Sequence, residues 1–213
     1  MLRVLLRLRK GEEIKYLSHR DVIRAFEFAL RRARIDTAYS SGFNPRPRMS
    51  FGSAIGVGVT SEDERIVLEL ASPQADIVER LNSQFPNGLA VLEAEEIPEG
   101  MKSPLSGLNA VRFRLTLKCE PAEVNAAIEK LLASDVVKVI REREGKTKEI
   151  DIRPYIMEAG VVESGDSTAV VDICLRVSDS GGGSPKDFVQ ALGNLVSNMT
   201  VRKIHKLSQF HIE

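Results

Sequence analysis

An α+β fold made of two ferredoxin-like halves with antiparallel sheets is what this sequence predicts. Three observations carry that expectation. The chain has 213 residues, 43% of them hydrophobic, enough for one large domain or two of about 100 residues. Residues 98–107 (PEGMKSPLSG) have the Pro, Gly and Ser content of a linker. On each side of it, apolar periodicity runs approximately strand, helix, strand, strand, helix, strand, the order of the split βαβ fold. The expected domains are residues 1–99, with extra strands or an elaborated loop, and residues 106–213.

Leu2, Val4, Leu6 and Leu8 alternate with Arg3, Leu5, Arg7 and Arg9, the period-2 pattern of a half-buried strand. Ser18 then reads as a helix N-cap, with Asp21 three residues on, where an acid suits the helix dipole. At 100° per residue, Val22, Ile23, Phe26, Ala29, Leu30 and Ala33 cover one face of a helix over residues 18–34. Arg20, Arg24, Glu27, Arg31 and Arg34 gather on another. Residues 38–40, 48–51, 55–59 and 65–70 read as extended segments, 73–84 as a helix opening with proline, and 89–97 as a closing strand.

In the second half, residues 111–119 alternate as a strand, and 121–133 form a helix with Val124, Ala127, Ile128, Leu131 and Leu132 inward. Residues 136–143 and 148–156 flank Glu144-Gly145-Lys146, a hairpin turn. Residues 168–177 are a strand, and 178–184 (SDSGGGS) a flexible connection. Residues 184–196 are a helix capped by Ser184 with Pro185 at its first position, and 201–212 a final strand.

Charge is zero overall but unevenly placed. Residues 1–60 hold 12 Lys/Arg against 5 acids, an excess of 7 positive charges that the remaining 153 residues offset. A basic front segment on a neutral chain points to a localised anionic contact. Two cysteines, Cys119 and Cys174, and three histidines, His19, His205 and His211, offer neither a zinc-ligand spacing nor a disulfide framework. The first ten residues, MLRVLLRLRK, are too short and too charged for a signal peptide, and no apolar run reaches membrane-spanning length. The expectation is a cytoplasmic protein with no membrane partner, no metal and no cofactor of its own.

The candidate binding residues are Lys15, Arg20, Arg24, Arg31, Arg34, Phe43, Asn44, Arg46 and Arg48. Arginine offers planar bidentate donors to phosphate, and a helix ridge holds them at fixed spacing. The same ridge also reads as a solvated face with an Arg24–Glu27–Arg31 salt-bridge ladder. In the loop over residues 40–50 (SSGFNPRPRMS), Gly42 permits positive φ, while Pro45 and Pro47 bias Asn44 and Arg46 toward extended conformations. Phe43 either anchors that loop in the core or offers a stacking face to a base. His19 is a weak candidate for a general base: no catalytic partner is identifiable beside it, and its basic neighbours disfavour a proton. Gly56-Val57-Gly58 lacks the third glycine and following helix of a dinucleotide loop. Asp151 and Arg153 fall on one strand face, as a local ion pair would.

The residues Tyr16-Leu17-Ser18-His19-Arg20-Asp21, Ala29-Leu30-Arg31-Arg32-Ala33 and Tyr39-Ser40-Ser41-Gly42-Phe43-Asn44-Pro45-Arg46-Pro47 resemble the hallmark of the radical-SAM-linked protein family. This is a bacterial domain of unknown function found fused to or beside cobalamin-binding radical SAM proteins. The likeness continues through residues 56–64 and, more loosely, to 151–155; Arg20 stands where the family often has leucine. The resemblance implies a cytoplasmic accessory role with a radical SAM partner. This chain has no CxxxCxxC triplet to hold an iron–sulfur cluster, so radical chemistry falls to another polypeptide. The predicted fold with its basic loop also resembles the repeat-associated RNA-processing superfamily, at the level of fold alone. The leading expectation is therefore a non-catalytic module that recognises RNA, with tRNA or rRNA as the class, and presents it to a radical SAM protein. One alternative is an RNA-processing or RNA-modifying enzyme using His19. Another is a protein-docking module that binds no nucleic acid.

Overall fold

The computed structural model describes residues 2–143, 145–178 and 181–212, with the Arg143 side chain left aside. Glu144 of the expected hairpin turn, and Asp179 and Ser180 of the expected flexible connection, lie outside the described residues. The chain is mixed α+β, rich in sheet and with four helices among the described residues, and divides into two compact units, Met1–Leu108 and Asn109–Glu213.

In the first unit the elements are β1 (Leu2–Lys10), a 3-10 turn (Glu12–Ile14), α1 (His19–Arg32), β2 (Met49–Phe51), β3 (Val59–Leu70), α2 (Ile77–Asn82) and β4 (Leu89–Ile97). The sheet runs β4-β1-β3-β2, antiparallel throughout. Alternation in β1 places Val4, Leu6 and Leu8 on the buried face, where Val4 is level with Leu68 and Leu6 with Ile66 on β3. Phe26, Ala29 and Leu30 of α1 complete this core with Leu81 and Val91. Each such side chain contributes about 1.5–3 kcal/mol by leaving water.

The next position on the buried face of β1 is a lysine. Lys10 is 3% exposed, and its Nζ donates to the carbonyls of Lys15 (3.1 Å) and Leu17 (2.9 Å), the residues just ahead of the α1 cap. There Ser18 Oγ accepts from the Asp21 amide, while Asp21 Oδ2 accepts from the Ser18 amide (3.1 Å) and hydroxyl (2.6 Å). This reciprocal capping box fixes the first turn of the helix. Its far end closes at Arg34, whose φ is +52°. The Arg34 amide reaches the Arg31 carbonyl (3.1 Å) and the Ile35 amide the Leu30 carbonyl (3.0 Å), a Schellman closure with arginine in the usual glycine position.

The second unit carries β5 (Ala110–Lys118), α3 (Pro121–Ala133), β6 (Lys138–Arg143), β7 (Lys146–Asp151), a 3-10 turn (Arg153–Tyr155) and β8 (Ile156–Gly165). It continues with β9 (Thr168–Ser178), β10 (Gly181–Gly182), α4 (Pro185–Gly193) and β11 (Thr200–Phe210). Strands β8, β9, β5 and β11 lie side by side, antiparallel, and β10 folds back on the end of β9. β6 and β7 form their own two-stranded ribbon.

Several expectations are corrected. Residues 148–156 are not one strand: β7 stops at Asp151, and the whole of β8 follows. β8 is mostly exposed, so it shows no apolar alternation in sequence. Residues 55–59 are not a strand ahead of a second one; β3 is a single strand from Val59, with polar Thr60, Ser61 and Asp63 buried along it. The helix expected over residues 73–84 occupies only Ile77–Asn82. Asp151 and Arg153 are not on a common strand face. The Arg153 guanidinium instead donates to the carbonyls of Leu132 (2.9 Å), Ser134 (3.1 Å) and Ile156 (3.0 Å), closing the C-terminal end of α3, and Asp151 accepts from the Val137 and Arg153 amides.

Two stability predictions follow from these contacts. Arg153→Met strips one charged donor from three carbonyls and is expected to cost about 2–3 kcal/mol in urea unfolding, against less than about 0.5 kcal/mol for Lys138→Met on the surface. Ser18→Ala is expected to cost about 1 kcal/mol. The Ser18 hydroxyl and amide hold the Asp21 carboxyl below its ordinary range. A depressed folded value contributes stability above the unfolded one, lost as pH falls through the folded value. Wild type should therefore lose this contribution below about pH 4, and Ser18→Ala should flatten that part of the acid limb in thermal melts.

Candidate nucleic-acid interface

The basic segment is organised by two elements of the first unit. α1 turns Phe26, Ala29 and Leu30 into the core, which leaves Arg20, Arg24, Phe28 and Arg31 exposed along the opposite side. The second element is the excursion between α1 and β2, a hairpin without long strands. The Ser40 amide donates to the Arg46 carbonyl (2.9 Å), the Arg48 amide to the Ala38 carbonyl (2.8 Å), and the Arg46 amide to Ser40 Oγ (3.1 Å). Tyr39 also bridges Pro47. Gly42 at the tip has φ +125°, and no atom lies within 4 Å of where a Cβ would stand, so backbone conformation alone asks for glycine there.

These elements bring together three of the expected residues. Arg20, Arg24 and Arg46, with Ile23 beneath them, line a concavity of about 360 Å³. Their acidic neighbours engage them weakly. Arg24 Nη1 lies 4.0 Å from Asp21 Oδ1, and Arg46 Nη1 lies 3.8 Å from Glu27 Oε1, with the arginine side chains 71% and 74% exposed. At those distances and exposures a pair contributes little, and Asp21 is already engaged by Ser18. Three guanidinium groups therefore face a space into which an anion fits, at little cost in broken ion pairs.

Phe43 is fully exposed at the tip, 106% of the reference area, and Asn44 beside it is also exposed. The reading in which Phe43 anchors the loop in the core is thereby corrected: a five-residue tip closed by its own hydrogen bonds projects the ring into solvent. The other expected residues are spread around this centre. Lys15 is bonded to Glu12 (2.9 Å), which raises its proton affinity, and its ammonium lies 5.2 Å from the Tyr16 ring centroid. Arg48 pairs with Glu69 at 3.3 Å. Arg34 lies past the helix end and not on the helical ridge. Arg31 remains on the exposed face, 5.8 Å from the centroid of Phe28, which is 54% exposed. The expected Arg24–Glu27–Arg31 ladder is not what Glu27 serves; its carboxylate faces Arg46 across the loop.

His19 belongs to a different place. Its ring meets Phe51 edge to face at 5.0 Å, and with Lys10, Glu64 and apolar neighbours it lines a small, partly open cavity of about 20 Å³, room for a single water. Ile23 and Phe28 were not expected at the site, and Glu27 was expected there only as a partner of Arg24 and Arg31. Helical spacing could have found them, since Ile23 and Phe28 lie at i+3 of Arg20 and i+4 of Arg24. Glu27 depended on a contact from outside the helix. Both cysteines are free, buried thiols whose proton affinity burial raises. Among the described residues no three His, Cys, Asp or Glu side chains gather as a metal-binding cluster. No described helix is long and apolar enough to cross a membrane.

Known proteins give a family and a fold. No curated protein matches the sequence. Among solved structures, the archaeal box H/ACA sRNP Nop10-Cbf5 complex aligns over 95% of this chain and 46% of its own, at 7% identity and a TM-score of 0.51. A Cbf5-Nop10-Gar1 complex aligns over 95% and 47%, at 8% identity and a TM-score of 0.50. An H/ACA RNP bound to a substrate RNA containing 2'-deoxyuridine aligns over 95% and 46%, at 7% identity and a TM-score of 0.49. The chain thus spans slightly under half the length of the chains it matches, and at such identity the likeness is one of fold. Residues 3–185 match the model of a family described as an uncharacterized protein conserved in bacteria (DUF2344), and the chain belongs to that family.

Proposed function

We propose that this chain is a non-catalytic RNA-recognition module that holds RNA, of the tRNA or rRNA class, through Arg20, Arg24 and Arg46, with Arg31, Lys15, Arg48 and Arg34 adding to the surrounding positive field. The carrying observation is the convergence on one concavity of three guanidinium groups, from a helix and the loop that follows it, with Arg24 and Arg46 only weakly paired. A solvated helix face requires no loop to close over it. Arginine at a shaped surface matches phosphate in geometry as well as charge. The archaeal box H/ACA sRNP Nop10-Cbf5 complex, which has a similar fold, is part of a ribonucleoprotein, which agrees with this reading.

The radical SAM partner enters from the sequence resemblance. The two buried thiols of this chain supply no cluster site, so in this reading it presents RNA to a separate enzyme in the cytoplasm. Each unit is taken as a ferredoxin-like domain, residues 1–99 and 106–213. The β-α-β-β-α-β order of the first supports that, as does the same order in the second once β6, β7 and β10 are seen as additions. His19 against Phe51 supports a packing role better than general acid–base catalysis, because the cavity it lines has room for a single water and includes none of the three arginines.

Phosphate contacts release counterions, so the logarithm of the affinity should fall linearly with log[salt]. The triple variant Arg20→Gln/Arg24→Gln/Arg46→Gln is expected to bind fluorescein-labelled bacterial tRNA at least about tenfold more weakly than wild type, with the salt slope smaller by about 2–3. Unchanged affinity and slope in a variant that melts like wild type would contradict the proposal.

A further inference from the structure

The fully exposed Phe43 deepens the RNA reading, and the inference here rests on that reading. We infer that the site takes single-stranded RNA: Phe43 stacks against an unpaired base while the Arg20, Arg24 and Arg46 concavity holds the adjoining phosphates. Three features of the tip carry this.

First, the ring is held in water by design of the loop and not by slack in it. The tip is closed by the Ser40–Arg46 hydrogen bonds and the Tyr39–Pro47 bridge, and Pro45 and Pro47 fix their own φ. A loop so constrained presents its side chain with little ordering left to do on binding. Second, Phe43 is set among donors. Its sequence neighbours Ser40, Ser41, Gly42, Asn44 and Arg46 are exposed and carry small, polar or charged groups. The other exposed ring of the loop, Tyr39, sits at its base opposite Pro47, so the tip itself presents one flat face and no run of apolar side chains for a protein partner to cover. A single flat aromatic face among donors is instead the arrangement that a nucleobase uses.

Third, the spacing suits adjoining nucleotides. Phe43 and Arg46 are three positions apart, so their Cα atoms are at most about 11 Å apart at ~3.8 Å per step. That is about three stacked nucleotides at ~3.4 Å each. A double helix cannot meet both demands. Its bases are stacked on one another and its major groove is deep and narrow, so an aromatic ring finds no base face there. Unpaired nucleotides in a loop, bulge or end offer the face and the phosphate together.

The chain has no tryptophan and three tyrosines, so Phe43→Trp places its one tryptophan at the tip, excited selectively beyond tyrosine absorption. Two probes are used, a 12-nucleotide RNA unable to pair with itself and a 12-base-pair RNA duplex. The single strand is expected to bind wild type at least about tenfold more tightly than the duplex, and to quench the emission of Phe43→Trp while the duplex does not. Phe43→Leu should lose about tenfold for the single strand and leave the duplex unchanged. Equal affinity for the two probes, no quenching, and wild-type affinity in Phe43→Leu, with Arg20→Gln still weakening both, would overturn the inference and leave the phosphate reading standing. Binding of neither probe would overturn both.

Discussion

One buried ammonium fixes the geometry on which the site depends. Lys10 stands where the apolar face of β1 would continue, and its Nζ reaches back to the carbonyls of Lys15 and Leu17. A lysine so enclosed carries a desolvation penalty, and burial indeed lowers its proton affinity, with Glu64 acting in the opposite sense. An apolar residue would fill the position without that penalty, but it would take this donor from the Leu17 carbonyl and leave the Lys15 carbonyl with the Gly58 amide alone (2.8 Å). The bond it makes decides where the chain turns from β1 into α1. Ser18 and Asp21 then begin the helix at that point, and the register of every later side chain follows.

From that start, the two faces of α1 have complementary roles. Phe26, Ala29 and Leu30 lock the helix against the sheet, which sets the direction of Arg20 and Arg24. The hairpin-like loop that follows carries its own bracing and brings Arg46 to the same concavity. Neither element makes the site by itself. The arginines on the helix lack a wall without the loop, and the loop arginine lacks companions without the helix. Pairing to Asp21 and Glu27 at 4.0 and 3.8 Å is close enough to orient the guanidinium groups and too loose to neutralise them.

The elements most legible in the sequence were those with one wet and one dry face. β1, β4 and α3 show their period directly, and the capping residues Ser18 and Ser184 mark real helix starts. What escaped was structure without periodicity. β8 is exposed along most of its length, and the polar start of β3 is buried by pairing and not by hydrophobicity. Arg34 escaped for a different reason: a left-handed arginine closing a Schellman motif looks in sequence like one more helical residue. At the candidate site, charge excess and proline spacing pointed to the segment in which Arg20, Arg24 and Arg46 converge. Its partition into three converging arginines and paired cations such as Arg48 required the tertiary contacts of Glu27 and Glu69, and the solvent-borne Phe43 required the closed loop.

The central claim is that RNA meets the face made by α1 and the loop over residues 40–48. Ultraviolet crosslinking of the intact protein to bound bacterial RNA, followed by mass spectrometry of nucleotide-bearing peptides, tests it most directly. The account predicts crosslinks concentrated in the peptides spanning residues 16–48, with Phe43 and its immediate neighbours the most heavily modified. Crosslinks confined to residues 109–213, or their absence from residues 16–48 in protein that demonstrably carries RNA, would contradict it.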